Sequence, residues 1–291
     1  MSQWSQPRHA FVPVLGHEIY VAEWGDPAAP PLVMWHGLAR TSRDFDELAT
    51  ELARDHFVIC PDTIGRGQSS WSQHPEAEYS IKHYTQIALG LMEHYGMEQA
   101  GWFGTSMGGL IGMRIASGPM ADRLNYLVIN DIGPEVPQPA IDRILAYAAE
   151  LPCFDTVAEA DRWLRATYAP FGVAEDAFWQ RMAATSLRRK GNGKLTLHYD
   201  PKILVQFTAS AKELLSWDRY DRIELPMHVI QGAASDILPP QILQRMCANG
   251  PRPTVTTVQG CGHAPNLSMP TDVRFVREVI STLEVDCSTS G

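Results

Sequence analysis

Long apolar runs are missing from this chain. No segment approaches the roughly 18 uninterrupted apolar residues of a membrane span, and residues 1–10 carry neither a basic stretch nor the apolar core of a secretory signal. A cytoplasmic location without a membrane partner is the default expectation. Basic residues are also scarce: 24 Lys and Arg face 33 Asp and Glu, the net charge is −9, and the longest basic run is Arg188, Arg189, Lys190. Such a balance argues against nucleic acid as a partner. The five cysteines (Cys60, Cys153, Cys247, Cys261 and Cys287) are odd in number and scattered, with no C-x-x-C pair and no histidine at ligand spacing beside them. They read as reduced packing thiols, with neither a disulfide framework nor a metal centre.

What remains is ordinary globular material. An apolar share of 45 % and a charged share of 20 % exclude disorder and fibrous repeats. A length of 291 residues fits one large α/β domain carrying an insertion. Between residues 17 and 131 short apolar runs alternate with helical periodicity, which calls for a mostly parallel, doubly wound sheet with helices on both faces. Residues 18–24 alternate like an exposed edge strand, while residues 32–35, 57–60, 101–104 and 126–130 are continuous apolar runs suited to buried strands. Helices fit over 42–54, 80–95 and 107–117.

After Asp131 the rhythm changes. Pro134, Pro137 and Pro139 interrupt it, and helical periodicity alone follows, with candidate helices at 140–151, 157–168, 175–188 and 202–215. Strands return at 227–231 and 254–259, followed by a terminal helix near 271–283. The expected division is a core of residues 1–133 and 225–291 with a helical cap at 134–224.

Gly104-Thr105-Ser106-Met107-Gly108-Gly109 stands between an apolar strand and a helix, the setting of a G-x-S-x-G nucleophile elbow. Ser106 is the expected nucleophile, with Gly104 and Gly108 making room for a very tight turn. The N–H of Met107, at the helix N-terminus, faces developing negative charge as an oxyanion donor. A second donor is expected from Leu38, in the loop His36-Gly37-Leu38 after strand 32–35; His36 itself reads as a brace. The turn from Asp62 to Ser69 reads as structural, with Asp62 capping local N–H groups.

His263, in Gly260-Cys261-Gly262-His263, follows the last strand and is the expected general base. For the acid that orients it, Asp236, which follows strand 227–231, is preferred over Asp131, which closes strand 126–130. The order Ser, Asp, His matches either choice.

These residues, in this order and over nearly the whole chain, resemble the α/β-hydrolase family. The resemblance implies an acid after the penultimate strand and a helical cap where residues 133–225 lie. Position 106 is Ser, whereas the haloalkane dehalogenase and epoxide hydrolase branches carry Asp there, so acyl transfer is implied. The expected activity is hydrolysis of small apolar carboxylic esters without metal or organic cofactor. Alternatives on the same triad are short hydroxyalkanoate oligomers, lactones, carbon–carbon bond hydrolysis and perhydrolysis. A non-catalytic binding module is the rival from another class. The expected partner is a small-molecule ester, and a homodimer stays open.

Overall fold

The computed structural model describes residues 6–148 and 150–289. An eight-stranded sheet organises it. The chain enters through a hairpin, β1 (Arg8–Val14) and β2 (His17–Trp24), then runs through β3 (Pro31–Trp35), a 3-10 turn (Ser42–Phe45), α1 (Asp46–Leu52) and β4 (Phe57–Pro61). Short α2 (Pro75–Glu78) and long α3 (Ile81–His94) lead to β5 (Ala100–Thr105), α4 (Met107–Ala116) and β6 (Leu124–Asn130). The sheet closes with later elements, which place β6 beside β10 (Met227–Gly232), β10 beside β11 (Thr254–Val258), and end in α11 (Pro270–Thr289).

Strand order is β1-β2-β4-β3-β5-β6-β10-β11. The first two pairings are antiparallel and all others parallel. Consecutive side chains on each buried strand point to opposite faces. Val33 and Trp35 therefore join Ile87, Leu91 and Ile111 of α3 and α4 on one side, whereas Leu32 and Met34 join Leu48 and Leu52 of α1 and Ile280 of α11 on the other.

One strand and one helix expectation shift. Residues 18–24 do not form the edge: β1 covers them on one side and β4 on the other, so Ile19 to Ala22 are all buried. Residues 42–54 begin as a 3-10 turn because the Ser42 N–H is drawn to Asp62 Oδ1 at 2.7 Å, away from a helical start.

Between β6 and β10 lie α5 (Gln138–Ala148), β7 (Cys153–Phe154), α6 (Val157–Thr167), α7 (Asp176–Ser186), β8 (Leu187–Arg189), β9 (Leu195–Leu197), α8 (Gln206–Ala209) and α9 (Trp217–Tyr220); α10 (Pro240–Ala248) follows β10. The segment is not purely helical, since β7, β9 and β8 form a small antiparallel sheet. Nor is 202–215 one helix: 3-10 turns flank α8, and Ser210 leaves the helical region at φ −123°, ψ 22°. Among the described residues no helix is long and apolar enough to cross a membrane.

Candidate active site

Ser106 sits where β5 turns into α4. Its backbone is at φ 52°, ψ −113°, a region that costs a non-glycine residue about 1–3 kcal/mol and persists only when its surroundings enforce it. They do. The Ser106 N–H donates to Asn130 O (2.9 Å) and its carbonyl accepts from Gly109 N (2.8 Å). A Cβ on Gly104 would stand 2.4 Å from the Gly108 carbonyl group, and one on Gly108 would stand 2.1 Å from Trp35 O. Only glycine lets strand, elbow and helix approach this closely.

His263 Nε2 lies 2.9 Å from Ser106 Oγ, and its Nδ1 lies 2.8 Å from Asp131 Oδ2. A carboxylate can only accept here, so Nδ1 carries the proton and Nε2 offers its lone pair to the serine hydroxyl. Asp131 is fully buried, and its Oδ1 accepts the Gly232 N–H at 2.8 Å. Both carboxylate oxygens are thus held, one by the imidazole and the other by the end of β10. The His263 loop is braced as well: Asn130 Nδ2 donates to Pro265 O (3.0 Å) and the Gly262 N–H to Pro170 O (2.7 Å).

Asp236 is placed elsewhere. Ser235 Oγ accepts the N–H groups of Ile237 (3.2 Å) and Leu238 (3.0 Å), and the resulting turn sends the Asp236 carboxylate toward α5. There Arg143 grips it, Nε to Oδ2 at 2.6 Å and Nη2 to Oδ1 at 2.9 Å. The structure therefore pairs His263 with Asp131, contrary to the expectation for Asp236. The two aspartates follow neighbouring strands of one sheet, and side-chain direction, which strand spacing does not encode, separates them.

Gly37 brings the loop after β3 against the elbow: a Cβ there would lie 3.6 Å from Ser106 Cβ. Leu38 follows, and with Ser106 it lines one cavity. Met107 opens α4, where its N–H has no intrahelical acceptor. His36 is buried, and burial pushes its pKa down to about 3. Its Nδ1 donates to Gly37 O at 2.6 Å while Nε2 accepts the Thr63 N–H at 2.9 Å, so the neutral ring ties two loops together.

Arg66 was hidden from sequence reasoning inside the Asp62 to Ser69 turn. It is fully buried, with Nε donating to Leu38 O (2.8 Å), Nη1 to Ile64 O and the Tyr84 hydroxyl (2.8 Å each), and Nη2 reaching Met107 Sδ at 3.5 Å. One guanidinium thereby touches both segments that flank the serine. The available signal was a long cation between two glycines at a strand end. Asp62 of the same turn accepts the Ser42 and Gln68 N–H groups (2.7 and 2.8 Å), although burial pushes its pKa up to about 6.

A serine elbow, an acid and a histidine on the loops that follow β5, β6 and β11, at the carboxyl edge of such a sheet, have a counterpart among known families. The Alpha/beta hydrolase family model matches residues 32–274. The chain belongs to the alpha/beta hydrolase family. Among curated relatives, the 3-hydroxybutyrate-oligomer hydrolase of Cupriavidus necator is 36 % identical over 92 % of this chain and 96 % of its own length. Among solved structures, an alpha/beta hydrolase from Novosphingobium aromaticivorans superposes with a TM-score of 0.84 at 29 % identity, covering 95 % of this chain and 98 % of that one. The structure of E-2-(acetamidomethylene)succinate hydrolase shares the fold, with a TM-score of 0.83 at 21 % identity over 95 % and 100 %.

Over Ser106 this hydrolase encloses a cavity of about 600 Å³. Its apolar wall includes Phe45, Leu48, Ile144, Tyr168, Phe171 and Phe178. Two arginines enter this wall, each already engaged by an aspartate: Arg143 by Asp236, and Arg40 by Asp44 at 2.8 and 2.5 Å. Trp163 packs on Phe154 of β7 and Trp179 meets Phe178 edge to face, and neither tryptophan lines the cavity.

Proposed function

We propose that this protein hydrolyses short oligoesters of 3-hydroxyalkanoic acids through an acyl-enzyme on Ser106. The single observation that carries the chemistry is the continuous line of hydrogen bonds from Ser106 Oγ through His263 to Asp131. Ser106 Oγ attacks the ester carbonyl while His263 Nε2 takes its proton. Asp131 holds the imidazole in the required tautomer and stabilises the imidazolium. The N–H groups of Leu38 and Met107 donate hydrogen bonds to the developing oxyanion. His263 then returns the proton to the leaving alcohol, and a water activated by the same nitrogen releases the acid. No step calls for a metal or organic cofactor.

The substrate class is supported by the similarity to the Cupriavidus necator oligomer hydrolase along almost the full length of both chains. A cavity of about 600 Å³ with an apolar wall has room for a few short repeating units. In this reading residues 134–224 act as a cap that shapes the cavity over a core of 1–133 and 225–291.

The test is chromatography of products from 3-hydroxybutyrate dimer, trimer and tetramer, beside p-nitrophenyl esters of rising chain length and simple lactones. Release of 3-hydroxybutyrate from the oligomers, faster than cleavage of the matched lactones, is the expected result. Cleavage of simple esters with inert oligomers would overturn the substrate assignment but leave the triad. A fluorophosphonate probe should label Ser106 and no other residue, as peptide mass spectrometry would report.

A further inference from the structure

Away from the cavity, three side chains converge with the chemistry of metal ligands. His17 opens β2, Glu78 closes α2 and His83 stands in the first turn of α3. One ligand atom from each lies within 4.8 Å of the others, and His17 Nε2 is 3.4 Å from Glu78 Oε2. The two imidazoles meet edge to face, with centroids 5.6 Å apart and planes at 84°. None of the three lines the cavity over Ser106.

Both Nε2 atoms, of His17 and of His83, are buried without a hydrogen-bond partner among the described residues. The His17 side chain is only 9 % exposed. An unsatisfied buried polar atom is costly to keep, and here two of them face one carboxylate. The carboxylate is oriented in turn: the Ser72 hydroxyl donates to Glu78 Oε2, and Ser72 Oγ accepts the His74 N–H at 2.8 Å. Outer-sphere bonds of this kind aim first-sphere ligands.

We propose that His17, Glu78 and His83 bind a divalent transition metal of the zinc type, which clamps the β1–β2 hairpin to α3. Two imidazoles and one carboxylate, completed by water, form a donor set suited to zinc. Bonds of roughly 2.0–2.1 Å would place the donor atoms about 3.3 Å apart, a contraction within reach of small side-chain rotations from the observed separations. The ion satisfies both orphaned nitrogens at once, and its role is structural, because the triad lies on other elements.

The test uses the full chain stripped with chelator, then titrated with zinc chloride by calorimetry and thermal melting. Wild type should bind one equivalent and melt higher at about 100 µM zinc. His17→Gln and His83→Gln should each weaken binding about tenfold or more, and Ser72→Ala should follow in the same direction. Melting temperatures in chelator alone should stay close to wild type, which separates lost binding from lost folding. Ester hydrolysis should not change on zinc addition. Unaltered binding in the His17→Gln/His83→Gln double variant would overturn the proposal, as would a wild type whose melting point ignores zinc. Inhibition of hydrolysis that tracks the isotherm would place the ion at His263 and overturn it equally.

Discussion

At the carboxyl edge of the sheet, Ser106 and Asp131 are held through backbone groups of β6 and β10 and His263 through Asp131, which is wholly buried. The segment between β6 and β10 reaches the same cavity differently. Its Arg143 meets Asp236 in a pair whose side chains are 47 % and 48 % exposed. Geometry that must hold to a few tenths of an ångström is built on strand ends, whereas in the reading proposed above substrate choice rests on a segment whose ion pair with the core is open to competition from solvent. Substitutions at the edge should therefore act on the chemical step and those in the segment on substrate choice.

The sharpest break of that comparison is at the triad itself. Ser106→Ala and His263→Ala should each lower kcat by roughly 10⁶-fold on any ester, because the two groups act as one unit. Residual turnover of even one per cent in purified Ser106→Ala would remove the nucleophile from its role. The two aspartates come next. Asp131→Asn should cost about 10⁴-fold in kcat through the wrong imidazole tautomer, whereas Asp236→Asn should stay within about threefold on a short p-nitrophenyl ester, as befits a half-exposed ion pair. The reverse ranking would return the orienting role to Asp236.

Arg66 tests how far the edge depends on buried support. Arg66→Met leaves the Leu38 and Ile64 carbonyls and the Tyr84 hydroxyl without their donor, at a cost of about 3 kcal/mol or more. Denaturant midpoints would show it, and an unshifted midpoint would mean that water replaces the guanidinium. Asn266 probes the seam between the regions. Its side-chain amide donates to Phe171 O (3.0 Å) and Val173 O (3.2 Å), tying the His263 loop to the intervening segment. Asn266→Ala should lose about 1–2 kcal/mol of stability and lower kcat several-fold with KM little changed. A rise in KM alone would show that the seam shapes the cavity without positioning His263.

Much of the edge was legible in sequence because strand, glycine and chain order all constrain it. Gly104 and Gly108 announce a close approach that the structure realises, and the apolar run before Ser106 places the elbow on an interior strand. The identity of the acid was not legible. Asp131 and Asp236 both follow apolar strands before His263, and the outcome turns on the positive φ of 60° at Asp131 and on the Ser235 turn, neither of which leaves a periodic trace. β1 escaped notice because only Val12 and Val14 are buried along it. The small sheet of β7, β8 and β9 has strands of two or three residues, too short for alternation to register.

The smallest effect concerns pH, and it sets two buried groups of the edge against each other. His36 has a folded pKa near 3 against an ordinary value of 6.5. Below pH 6.5 the unfolded chain takes up a proton that the native ring refuses, so stability falls with falling pH, by about 2 kcal/mol between pH 7 and 5. Asp62 works in the opposite sense. Its folded pKa near 6 exceeds the ordinary value of 3.8, so between those limits the native state holds a proton that the unfolded chain has released. Lowering the pH through that window therefore adds stability, about 1 kcal/mol over the same interval. Wild type should lose only the difference. His36→Gln, which keeps an amide that can donate and accept, leaves the Asp62 contribution alone, so its stability relative to its own value at pH 7 should rise slightly on going to pH 5. Urea titrations at the two pH values would measure this change of sign. Parallel curves for the two proteins would mean that the ring titrates normally and that the His36 brace between Gly37 and Thr63 opens in acid.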